Sequence, residues 1–168
     1  DNKNSEYIES TIAKDVMLAY NDEDGNIYYS ADGGETFFNE KELENVKIAE
    51  KILTERGFSL FSPRLNEVRT DENTQQSWWS KETFMNDKKF IDWADVVVML
   101  YYGGYSDSGT AWECGYAYGT NTPVVVVQLG EDSNLMVHEG CHSNITLEEL
   151  RTYDFEMLPA KPYKGKMF

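Results

Sequence analysis

Two continuous apolar runs constrain this chain more than any other feature: Val96-Val-Val-Met-Leu-Tyr-Tyr102 and Pro123-Val-Val-Val-Val-Gln-Leu129. Neither alternates apolar with polar residues. Such runs suit strands buried on both faces, the condition of a parallel sheet interior. Between them lies Ser106-Asp-Ser-Gly-Thr-Ala-Trp-Glu-Cys-Gly-Tyr-Ala-Tyr118, which opens with small residues and continues with helical character from about Thr110. A strand leading through a Gly-rich loop into a helix puts that loop at the carboxyl end of a sheet, where open α/β proteins bind ligands.

The rest of the chain repeats this alternation. Asp15 to Tyr20 and Asn26 to Ala31 are strand-like and flank the turn-rich Asn21-Asp-Glu-Asp-Gly25, so they are expected to form a hairpin. Asn39 with Glu42 makes a capping box, apolar residues from Leu43 to Leu53 recur at helical spacing, and Gly57 stops the helix. Phe58 to Pro63 reads as a short strand, residues 64–77 as a loop, and Trp78 to Trp93 as a helix. Thr146 and Glu149 cap a short helix ending near Tyr153. Strands alternating with helices argue a parallel sheet with helices on both faces. Residues 1–14 are read as a polar arm and residues 15–168 as a single domain, with a hairpin or insertion within 15–36. The length of 168 residues suits one core.

Charge narrows the function. With 15 basic and 30 acidic residues the net charge is −15. Such a field repels nucleic-acid polymers and anionic membranes, and it disfavours substrates with several phosphates. The longest apolar run is too short to span a bilayer, and no signal peptide is read, so a cytoplasmic location is expected. Cys114 and Cys141 make no disulfide framework, which fits a reducing compartment. His138-x-x-Cys141-His142 mimics a metal site but lacks a second cluster, so these residues are read as polar loop residues and no metal is assigned.

Glu113 has two readings. It could sit in the first helical turn and compensate the helix dipole, with Asp107 as the cap. Alternatively it is a working carboxylate, since an acid among small apolar residues is costly unless it is used or paired. Asp87, about two turns before the first apolar run, and Asp95 at its mouth each have a cap or dipole explanation, and Asp95 reads as mainly structural. Aromatics beside the strand-end loops, including Phe38, Trp79 and Tyr101, could stack on a planar ligand, although a large aromatic core explains most of them individually.

Taken together, these residues resemble the nucleoside 2-deoxyribosyltransferases from about Ile27 onward. Asp107-Ser-Gly109-Thr-Ala-Trp-Glu113-Cys-Gly is similar to that family's Asp-x-Gly-x-x-x-Glu-x-Gly segment, whose Glu is the nucleophile. Asn86-Asp87, with Asp87 eight residues after Trp79, resembles its Asn-Asp pair, whose Asp contacts the base. Ser133-Asn-Leu-Met136 resembles a segment that a neighbouring subunit adds to the site, and the ending from Tyr153 to Phe168 resembles the tail of the bacterial enzymes, with Phe168 where the family usually has Tyr. The family's first strand, Ile-Tyr-ϕ-(Gly/Ala)-(Ser/Ala), matches Ile27-Tyr28-Tyr29-Ser30-Ala31, which makes Tyr28 the tyrosine that orients the nucleophile. Alternatively Val16 to Tyr20 is that strand, residues 21–36 are inserted, and Tyr28 loses the role.

The resemblance implies a flavodoxin-like doubly wound α/β fold with a mostly parallel five-stranded sheet. It implies a glycosyltransferase that moves 2-deoxyribose between nucleobases by a retaining double displacement through Glu113, with Asp87 exchanging a proton with the base. Asp107 and Asn134 would hold sugar hydroxyls, with Gly109, Met136, Trp79 and Phe38 lining the substrate. No cofactor is implied. The expected partners are deoxyribonucleosides, free nucleobases and further copies of the chain, as a dimer or hexamer. Two rivals stay open: a hydrolase of deoxynucleosides or deoxynucleotides, and an acidic FMN-binding module.

Overall fold

A computed structural model describes residues 15–19, 40–66, 76–103 and 108–167. Five strands form one wholly parallel sheet: β1 (Asp15–Ala19), β2 (Ser59–Phe61), β3 (Val96–Tyr101), β4 (Val124–Gln128) and, after a small excursion, β6 (Ser143–Ile145). Their order is β2-β1-β3-β4-β6. This is the flavodoxin-like winding, in which the chain moves outward in one direction from β1 and in the other from β3. All six residues of β3 are buried, as the unbroken apolar run required.

Alternate strand residues feed two cores. Val16, Leu18, Val96, Val98, Leu100, Val125 and Val127 face α1 (Glu40–Glu55) and the C-terminal segment at Leu150, Tyr153 and Phe155. Met17, Val97, Met99, Val124 and Val126 face α2 (Gln76–Trp93) and α3 (Ser108–Gly119) through Ile91, Cys114 and Ala117. Helix α1 ends as the sequence indicated. Gly57 adopts φ +83°, its N–H donates to Thr54 O, and the Phe58 N–H donates to Leu53 O, which closes a Schellman motif. Its Asn39 cap lies outside the described residues.

Two expectations are corrected. The central place between β2 and β3 belongs to Asp15–Ala19, so the expectation that Ile27–Ala31 is the first strand gives way to the alternative. Residues 27–31 themselves lie outside the described residues, as does most of the expected hairpin. The fifth strand is Ser143–Ile145, which carries no apolar run and had no strand signal in the sequence. It is buried through pairing with β4 on one side and a bridge from Ser143 to Lys161 on the other.

Before it, β5 (Asp132–Ser133) pairs with β7 (Lys166–Met167) in a separate two-stranded sheet, and α4 (Leu135–Glu139) follows. The Thr146–Glu149 box forms reciprocally, with the Glu149 N–H donating to Thr146 Oγ1 at 3.2 Å and the Thr146 N–H to Glu149 Oε2 at 2.8 Å. It caps a single 3₁₀ turn, Glu149–Arg151, rather than an α-helix.

Candidate active site

The winding places the ligand-binding crevice over the carboxyl ends of β1 and β3, where the chain changes direction. Helices α2 and α3 both begin on that side, because each precedes or follows a strand that runs toward it. They lie side by side. Phe84 meets Trp112 at 5.0 Å between ring centroids, the Tyr116 hydroxyl donates to Asp92 at 2.7 Å, and Lys88 lies 4.8 Å from the Tyr116 ring.

The two candidate acids occupy matching positions relative to the ends of these helices. Asp87 and Glu113 each stand six residues before the last residue of their helix, about 9 Å along it. Asp87 lies one turn above the buried Ile91 and so faces the sheet. Its carboxyl is pushed up to about 6 by burial. Glu113 follows the buried Thr110 by three residues and precedes Tyr116 by three, which turns it toward α2 from the edge of the core stripe. Gly109, one turn nearer the crevice on the same side of α3, adds no side chain there. The dipole explanation for Glu113 does not survive: it is the sixth residue of α3, past the first turn to which that effect is confined.

Trp79 lies on the first turn of α2, two turns above Asp87, and is half-buried. The fully buried face of α2 is thin, and Phe84 is 40% exposed and packs on Trp112. Asp107, the residue before α3, lies outside the described residues, as do Tyr28 and Phe38. The placement of β1 changes what Tyr28 rests on, because the family's Ile-Tyr pattern then falls on Val16-Met17, and Met17 is wholly buried.

Asn134 and Met136 belong to the excursion after β4, Asn134 as the cap of α4 and Met136 within it. Helix α4 lies on the opposite side of α3 from α2, with the Cys114 thiol donating to Gly140 O at 3.7 Å and Tyr118 5.5 Å from the His142 ring. Asn134 caps α4, its Oδ1 accepting from the Met136 N–H at 2.9 Å, and Met136 is 77% exposed. Gly130, in the turn after β4, comes so close to the β3 end that a Cβ there would lie 1.7 Å from Tyr102 O. That turn therefore tolerates only glycine.

Among the described residues between β2 and α2, Arg64 is the basic side chain. Arg64 is paired with Glu50, which also accepts from Ser62 Oγ at 2.7 Å, so its charge is already answered. Sequence reasoning did not single out this triad, because its members are separated by a helix end and a strand. His138 is a further correction. Far from being a loop residue, it is buried on α4, 3% exposed. Among the described residues no group of acids, histidines or cysteines could hold a metal ion, and no helix is long and apolar enough to cross a membrane.

Comparison with known proteins gives three findings. Residues 33–147 match the family model for nucleoside 2-deoxyribosyltransferase. A solved structure of a 2-deoxyribosyltransferase from the psychrotolerant bacterium Bacillus psychrosaccharolyticus is 34% identical, with a TM-score of 0.71 over 89% of this chain and 98% of that one. A conserved protein from Enterococcus faecalis V583 is 19% identical with a TM-score of 0.51, over 93% of this chain and 91% of that one, and speaks to the fold alone. A search of curated proteins found no match.

Proposed function

Because this chain belongs to the nucleoside 2-deoxyribosyltransferase family and is a deoxyribosyltransferase acting on nucleosides and nucleobases, we propose that it moves 2-deoxyribose by double displacement, with Glu113 as the glycosyl acceptor and Asp87 as the proton-exchanging group. The observation that carries this reading is the pair itself. Each acid comes six residues before the end of one of two adjoining helices, and burial raises the Asp87 carboxyl to about 6. An acid with that pKa can give a proton to a departing base and take one from an incoming base within the same pH range.

Glu113 attacks the anomeric carbon as the bond to the first base breaks, and the electron pair leaves with the base, which takes up a proton from Asp87. The glycosyl ester then yields to the second base on the same face, so configuration is retained. An oxocarbenium-like transition state lacks the inductive burden of a 2-hydroxyl here, which favours the deoxy sugar. Asp107 holds a sugar hydroxyl, the gap at Gly109 admits the ring, and Trp79 and Phe38 stack on the base. Asn134, with Oδ1 committed to capping α4, has its Nδ2 to donate to a sugar hydroxyl of a neighbouring subunit's substrate, and Met136 packs beside it. The position of α4 across α3 from Glu113, and an exposed methionine beside it, support sharing between copies in a homo-oligomer. The Glu50–Arg64 pair supports nucleosides over nucleotides, since Arg64 has no unanswered charge for a 5′-phosphate.

Incubating the protein with 2′-deoxyinosine and adenine tests the proposal. New 2′-deoxyadenosine without free deoxyribose is expected. Release of deoxyribose alone would transfer the reading to hydrolysis.

A further inference from the structure

The proposed chemistry leaves His138 without a task, yet the fold invests heavily around it. Asn144 Nδ2 donates to two backbone carbonyls, His138 O at 3.5 Å and Lys161 O at 3.3 Å. Its Oδ1 is therefore the atom turned to the imidazole, and as an acceptor it requires a proton on His138 Nδ1. Nε2 then carries the lone pair, and it is buried without a partner. Burial also lowers the imidazole's affinity for a second proton, so the ring is neutral.

The other face of the ring holds the C-terminal tail. Tyr163 stacks on His138 at 4.1 Å with the planes 8° apart, and its hydroxyl donates to Glu131 O at 2.8 Å. The Asn144 N–H donates to Lys161 O at 2.8 Å, and Lys166–Met167 pairs with Asp132–Ser133. Gly165 lets the tail double back, since a Cβ there would lie 2.2 Å from the Tyr163 hydroxyl. Tyr101 of β3 closes the pocket edge-on at 5.7 Å, with Cys141 and Glu139 on the neighbouring backbone. Helix α4 has only five residues, too few to hold its own orientation, and Val137 and His138 are its buried side chains.

We infer that His138 is a positioning residue that joins α4 to tail residues 161–167 as one unit, so that Asn134 and Met136 are presented only while the tail is docked. The inference rests on the substrate-contacting role proposed above for those two residues. His138 itself touches no substrate.

Two substitutions separate its two bonds. His138→Phe keeps a ring for Tyr163 and loses the donor to Asn144; His138→Asn keeps a donor near the Nδ1 position and loses the ring. The phenylalanine variant is expected to raise KM for 2′-deoxyinosine about tenfold with kcat within about twofold, the size of one lost hydrogen bond to substrate. The asparagine variant should recover most of that KM. In the phenylalanine variant, amide hydrogen exchange should quicken together in residues 135–139 and 161–167 while β3 stays protected. Unchanged KM with the tail still protected would overturn the inference, as would a fall in kcat at constant KM. Should the phenylalanine variant not fold, Asn144→Ala removes the same hydrogen bond from the β6 side and must give the same pattern. If the unaltered protein moves no deoxyribose, the functional reading fails. Hydrogen exchange alone then decides, coupled loss supporting the inference and independent loss of the two segments refuting it.

Discussion

The two faces of the sheet each carry a carboxylate on a helix, and they treat it in opposite ways. On the α1 face Glu50 is 6% exposed and fully answered, by the Ser62 hydroxyl and the Arg64 guanidinium. Nearby, Arg56 donates to Leu150 O and Tyr153 O, each at 2.7 Å, and lies 5.1 Å from the rings of Phe58 and Phe155. Polar groups on this face tie the C-terminal segment to α1. On the α2–α3 face, burial alone shifts Asp87, and the hydroxyls of Thr83 and Thr110 are buried without partners. One face is finished for stability. The other keeps polar groups in a state that costs stability and suits chemistry.

Glu113→Ala should break the comparison most sharply, lowering base exchange by roughly 10⁴-fold or more while thermal unfolding stays close to that of the unaltered protein. Full activity in that variant would refute the nucleophile assignment. Asp87→Asn and Glu50→Gln should then move in opposite directions. Asp87→Asn is expected to cut exchange by about 10²-fold or more, yet to stabilise the fold at pH 7.5.

The sign follows from the raised pKa. Below about 3.8 Asp87 is protonated folded or unfolded, and its contribution to stability is fully present. As pH rises toward about 6 the unfolded chain ionises first, and that contribution is lost. Removing the charge therefore helps above pH 6, by about 3 kcal/mol at most, and has no such benefit at pH 3.5. Glu50→Gln should instead lower stability by roughly 2 kcal/mol, because Arg64, itself partly solvated, loses the Glu50 carboxylate, with kcat nearly unchanged. Equal effects of both substitutions on activity and stability would erase the distinction between the faces.

The smallest effect concerns the boundary between copies. Asn134→Ala should raise KM with little change in kcat. Mixing it with the Glu113→Ala protein should restore a portion of full-affinity activity, because one subunit lends an intact α4 to the other's intact Glu113. Additive, unrestored activity would place Asn134 in its own chain's site.

Much of this was legible beforehand. The runs at Val96 and Val124 could only be buried parallel strands, and Gly57 and the Thr146–Glu149 box marked their turns by local geometry. Glu113 stood out as an acid among small apolar residues, and Asp87 through the resemblance of Asn86-Asp87 to the family's Asn-Asp pair. The first strand was not legible, since Asp15–Ala19 and Ile27–Ala31 have similar apolar content and only pairing with both β2 and β3 separates them. Ser143–Ile145 was hidden for a related reason: backbone hydrogen bonds to β4 and the bridge to Lys161 bury it, and those leave no mark on side-chain polarity. His138 looked like a solvated loop residue because its partners, Asn144 and Tyr163, come from separate elements.

The sequence alone thus determined an alternating α/β chain with a parallel sheet, through strand-length apolar runs separated by helix-length segments, and it singled out Glu113. Local spacing suffices for both, whereas the winding and Asp87 came from the family resemblance. Only the tertiary structure decided which run stands at the centre of the sheet, which acid burial drives toward neutral pH, and that α4 lies across α3 from Glu113. Each of those depends on groups far apart in the chain meeting in a low-dielectric interior, where a single partner, or the lack of one, sets the energy of a charge.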